Sequence, residues 1–140
     1  MARLLGVEAF SATLSGAKLI AGDQVLIVRD AGEARRGGLK PLALEPGQTG
    51  VWDGRFEITA GPAPLTVRVL SGRAKALPKD QQARLRSLDA AARPALPILD
   101  LGDGRLTCPI LAEPAPARVR PLIAARLRAA CGVILKEPAT

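Results

Sequence analysis

The stretch that decides the fold is Val51-Trp52-Asp53-Gly54-Arg55-Phe56-Glu57-Ile58. Asp-Gly between two apolar segments is a strong short-range hairpin signal, because a type I′ turn needs positive φ at both central positions. Phe56 and Ile58 alternate with Arg55 and Glu57, as in a strand with one buried and one wet face. Trp52 is the single Trp of the chain, and its place beside a tight turn predicts a core anchor.

Outward from this hairpin the same signature recurs on both sides. Ala17-Lys18-Leu19-Ile20 and Val25-Leu26-Ile27-Val28 flank Ala21-Gly22-Asp23-Gln24. The second run is continuously apolar, which predicts burial on both faces. A third hairpin is expected over Ile98 to Ile110, turning at Asp103-Gly104 with Leu106 and Cys108 on one face. Leu65 to Leu70 reads as a further strand with Leu65, Val67 and Val69 pointing one way. Residues 31–48, with Gly37-Gly38, Pro41 and Pro46-Gly47, read as a loop or a loosely extended edge.

Two segments read as helical. Pro78 suits a first helical turn and Asp80 suits the positive end of the helix dipole, with Leu85 and Leu88 inward and Arg84 and Arg86 outward. Asp89 is placed to cap a short turn that stops at Pro94. Pro121 to Cys131 sets Ile123, Leu127 and Cys131 at i, i+4 and i+8, with Gly132 as the C-cap. The expected class is α+β: an antiparallel β-sheet of six or seven short strands, a helical insertion and a C-terminal helix. The expected organisation is a β-rich domain over 1–111, a stiff Pro-rich linker over 112–117, and a helix and tail over 118–140.

At 140 residues the length suits one domain. Hydrophobic residues make up 48% but aromatics only 2%, so the core must be aliphatic. There is no His, which excludes Ser-His-Asp and Cys-His chemistry and His-ligated metal. Cys108 and Cys131 show no metal-type spacing. No apolar run reaches the roughly 18 residues of a membrane span, and no signal peptide is evident, so a cytoplasmic protein without a membrane partner is expected.

Lys and Arg number 20 against 13 acids, giving +7. That balance fits a polyanion, with RNA the first candidate; the competing reading is the Arg, Ala, Gly and Pro inflation of a GC-rich genome. Arg is suited to phosphate by its planar fork. With few aromatics, RNA contact is expected at backbone phosphates and overall shape rather than on a stacking platform. No catalytic constellation stands out. Asp100 and Asp103 flank a turn, and Ser15-Gly16 lacks the pattern of a phosphate loop.

The run Phe10-Ser11-Ala12-Thr13-Leu14-Ser15-Gly16-Ala17-Lys18-Leu19-Ile20, followed by Val25-Leu26-Ile27-Val28-Arg29-Asp30, resembles a segment of tRNA(Ile)-lysidine synthase. Pro46-Gly47, Trp52-Asp53-Gly54-Arg55-Phe56, Ala76-Leu77-Pro78 and Ala92-Arg93-Pro94-Ala95-Leu96-Pro97-Ile98-Leu99 follow in the same order. The resemblance runs from about Phe10 to Leu111 and is nearest to the alphaproteobacterial form; Pro121–Cys131 has no match in it. The family joins lysine to C2 of the wobble cytidine of tRNA(Ile), driven by ATP, in an N-terminal domain with a Ser-Gly-Gly-x-Asp-Ser motif. That motif is missing from this chain.

The resemblance therefore implies a C-terminal part of that enzyme, or a stand-alone relative, with no ligase activity of its own. It implies no cofactor in this chain, ATP and Mg belonging to the full-length family enzyme. It also implies tRNA as partner. Arg35, Arg36, Arg55, Arg73, Lys75, Arg118 and Arg120 are the expected phosphate contacts. The alternative is a protein–protein or dimerisation module with incidental charge, its partner a second copy or the catalytic domain. An enzyme acting alone ranks third.

Overall fold

Ten short strands and two α-helices, in three sheets, make up the computed structural model, which describes residues 10–14 and 16–130. The class is α+β, as expected. The strands form three separate antiparallel sheets rather than one, because Gly- and Pro-rich connections interrupt the pairing.

The first sheet is a meander of β1 (Phe10–Leu14), β2 (Ala17–Ala21) and β3 (Val25–Arg29). The second has the order β10 (Arg118–Pro121), β6 (Phe56–Thr59), β5 (Thr49–Trp52). The third has the order β4 (Leu42–Leu44), β7 (Leu65–Val69), β8 (Pro97–Asp100), β9 (Leu106–Thr107). Helix α1 is Lys79–Arg86 and helix α2 is Ile123–Ala130.

The four-stranded sheet is the middle layer. Neighbouring residues on a strand point to opposite faces. Leu99 accordingly joins Trp52, Phe56, Ile58, Leu65, Val67 and Ala117 in one core, between this sheet and the β5–β6–β10 sheet. Ile98 joins Leu70, Leu77, Leu85, Cys108 and Leu111 in a second core, under α1. Leu65 and Val67 are buried, with Val69 packed beside them, on one face as the alternation predicts. Gln81 in α1 joins the layers through polar bonds. Its amide donates to Thr107 Oγ1 (2.8 Å), and its Oε1 accepts from the Cys108 backbone N–H (2.8 Å).

The Asp-Gly turn forms with φ of 52° at Asp53 and 67° at Gly54. The strands close at Trp52 opposite Phe56, not at Arg55, so Arg55 is an extra residue looped out of the ladder. Trp52 is 1% exposed, and its indole N–H donates to the Lys40 carbonyl (2.9 Å). It is the core anchor expected.

Three expectations change. Val25 to Val28 is not buried on both faces: Val25 is 55% and Ile27 66% exposed. The register sets Phe10, Ala21 and Val25, then Ala12, Leu19 and Ile27, on one face of the first sheet, which no core cluster of the described residues covers. Residues 31–48 are more ordered than a loop, holding a 3₁₀ turn at Ala31–Arg36 and the edge strand β4. Pro121, expected to open the C-terminal helix, instead ends β10, which pairs with β6. Cys131 and Gly132 lie outside the described residues.

Candidate nucleic-acid interface

The seven basic residues singled out from the sequence fall into distinct settings. Arg55 is a structural cation. Its Nε donates to Asp53 Oδ2 (2.6 Å) and its Nη2 to the Ala95 carbonyl (2.5 Å). Its guanidinium lies over Trp52 and Phe56, at 5.3 and 5.2 Å from the ring centroids. Asp53 also receives Arg29, through Nε (2.9 Å) and Nη2 (2.9 Å), and its side chain is only 6% exposed. Burial alone would raise the Asp53 pKa, but hydrogen bonds and charge attraction from Arg29 and Arg55 outweigh it and hold the carboxyl below its ordinary range. This ion cluster ties the first sheet to the β5–β6 hairpin.

Arg36 ion-pairs with Asp30 and Glu33, at 2.6 Å each, while Arg35 beside it is exposed. Arg118 and Arg120 sit on β10, an edge of the second sheet, where Arg120 pairs with Glu57 (2.9 Å). Arg73 and Lys75 are both exposed, on the segment between β7 and α1.

That segment separates two hollows. One, of about 320 Å³, is lined by Lys40, Arg68 and Arg73, with Ala34 and Gly37 from the turn that carries Arg35 and Arg36. The other, of about 340 Å³, is lined by Lys75, Arg86 and Arg93 over Leu70, Ala74, Leu85 and Pro94. Among the described residues, no Asp or Glu lines either hollow. Arg68 is shared with Asp100 (3.2 Å), and Arg93 is held by the Leu88 and Arg86 carbonyls. Lys40 and Arg86 escaped the sequence reading as partners of Arg73 and Lys75. Lys40 is distant along the chain from Arg73, and Arg86 is separated from Lys75 by the turn into α1, so no local pattern marks the convergence.

Among the described residues, no group of three His, Cys, Asp or Glu side chains is placed to hold a metal ion. Nor does any helix of these residues have the length and apolarity to cross a membrane. Cys108 is a free, buried thiol, pushed up in pKa by burial and only partly relieved by backbone N–H groups of Ile110 and Leu111. The fold and this face define a β-rich module that presents two hollows lined by basic residues.

Comparison with known proteins gives that module a counterpart. Over 99% of its length the chain is 45% identical to the C-terminal part of the tRNA(Ile)-lysidine synthase of Caulobacter vibrioides, and it spans 35% of that protein's length. No family model matches the chain. No solved structure matches it.

Proposed function

We propose that this chain is a non-catalytic tRNA-recognition module of a tRNA(Ile)-lysidine synthase-like protein. The full-length form would ligate lysine to the wobble cytidine of tRNA(Ile) with ATP and Mg bound in its catalytic region. The observation that carries the reading is the pair of hollows on either side of residues 71–76, lined by Lys40, Arg68, Arg73, Lys75, Arg86 and Arg93 without a carboxylate among the described residues. Phosphate contact through such a face neutralises backbone charge and releases counterions, so affinity falls with salt. The similarity to a tRNA(Ile)-lysidine synthase supplies the class of RNA. The module acts in the cytoplasm on this reading.

The test is binding of the chain to unmodified tRNA(Ile) and to an unrelated tRNA across a salt series. Tighter binding to tRNA(Ile), weakening steeply with salt, is expected. Equal binding to both would reduce the face to generic polycation behaviour, and salt-independent binding would remove phosphate contact from the account.

A second reading, a protein-interaction or dimerisation surface, is favoured by one observation. Phe10, Val25 and Ile27 share a sheet face and are 49%, 55% and 66% exposed. A mass that changes on dilution would support self-association through that face.

A further inference from the structure

We propose that the hollow between residues 70–75 and α1 binds one unstacked nucleoside monophosphate unit of RNA, base inside and phosphate at the rim. This rests on the RNA-binding reading above and adds a mode of recognition to it, because phosphate contact alone requires no hollow.

The floor is apolar: Leu70, Ala74, Leu85 and Pro94 line a space of about 340 Å³, within the usual range for small-ligand sites. The flat group that a base can stack on is Arg93. Its Nε donates to the Leu88 carbonyl (2.9 Å), and its Nη2 donates to the Leu88 (2.7 Å) and Arg86 (2.9 Å) carbonyls. A guanidinium held by three bonds loses little freedom when a base packs on it, and Arg planes serve as stacking surfaces for unpaired RNA bases. The floor therefore supplies what the scarcity of aromatics withholds elsewhere.

The rim supplies charge. Lys75 and Arg86 are both exposed and both line the hollow. Ser71 adds a hydroxyl at the mouth, while its backbone N–H is occupied by the Pro94 carbonyl (3.0 Å). Gln82 is anchored by its amide N–H groups to the Lys75 (3.2 Å) and Leu77 (2.7 Å) carbonyls, which fixes the wall between turn and helix. An apolar floor, a fixed planar cation and exposed rim cations match a base with its phosphate. An aliphatic side chain would leave those cations without a partner.

The experiment compares a single-stranded heptanucleotide carrying 2-aminopurine with a blunt RNA duplex, using wild type, Ser71→Leu and Arg86→Gln across one salt series. Leucine at 71 crowds the mouth without touching the backbone bond, and thermal melting checks that each variant folds. Wild type is expected to prefer the unpaired strand about ten-fold, with a change in 2-aminopurine emission. Ser71→Leu should weaken the strand about ten-fold more than the duplex and so remove that preference, and Arg86→Gln should lower the salt slope by about one. Equal binding of strand and duplex, or two folded variants that behave as wild type, would overturn the hollow while leaving the phosphate reading standing. Failure of both RNAs to bind at low salt would overturn the two together. Free AMP binding tighter than the heptanucleotide would overturn the assignment to RNA.

Discussion

Asp53 shows at the scale of one residue how function and stability divide among the arginines. It sits at positive φ in the turn, is nearly buried, and receives two guanidinium groups. Asn tolerates the same backbone region, so Asp53→Asn removes charge while sparing the turn. Stripping one member from a buried ion cluster costs ~3–5 kcal/mol; the partial exposure of Arg29 brings the expected loss here to about 2–3 kcal/mol by urea unfolding. The folded carboxyl titrates below its unfolded value, so its contribution is full above about pH 4 and lost as pH falls through the folded pKa. Wild type and variant should therefore differ at pH 7, and the difference should close as pH falls through the folded carboxyl's lowered pKa. Gln81 is the second such residue: Gln81→Leu strands the Cys108 N–H and the Thr107 hydroxyl, at a cost of about 2–3 kcal/mol in the same measurement. Trp52 and the Asp-Gly turn were legible because their signals are local. Arg55 was not, because its carbonyl partner Ala95 becomes a neighbour only in the folded chain.

Elements were legible where periodicity or a turn residue marked them, and obscure where a missing neighbour decided the outcome. Helix α1 and strands β5 to β8 follow from their patterns. The apolar run of β3 does not, since continuous hydrophobicity means double burial only when a second layer covers the sheet. Here the first sheet leans on the rest through Arg29, whose Nη1 donates to the Gly16 carbonyl (2.7 Å) on its way to Asp53. Gly16 has φ of 77°, and a Cβ there would lie 1.9 Å from Arg29 Nη1. Gly16→Ala is therefore expected to displace Arg29 and cost about 1–3 kcal/mol, from the positive φ and the overpacking together. In the Asp53→Asn background the same substitution should cost less. Additive losses in that double-mutant cycle would show that Gly16 and Asp53 do not act through one arginine.

At the scale of the molecule, the middle sheet carries two cores, and the connection from it to α1 carries the basic face. The sequence showed the excess of cations but could not show which ones converge; Arg36, Arg55 and Arg120 are drawn into ion pairs, whereas Arg73 and Lys75 meet Lys40 and Arg86 around shared hollows. The apolar face of the first sheet is a separate surface. Ile27→Thr is expected to leave stability within about 0.5 kcal/mol and tRNA affinity within about two-fold, read by unfolding and by titration. A ten-fold loss of tRNA affinity would bring that sheet into the RNA contact.

A tRNA-binding face on residues 71–76 is tested by the slope of log affinity for tRNA(Ile) against log salt, in wild type, Arg73→Gln/Lys75→Gln and Arg118→Gln. Each phosphate contact removed should flatten the slope by about one, so the double variant should lose about two and Arg118→Gln less. An unchanged slope in the double variant would contradict a tRNA-binding face centred on residues 71–76.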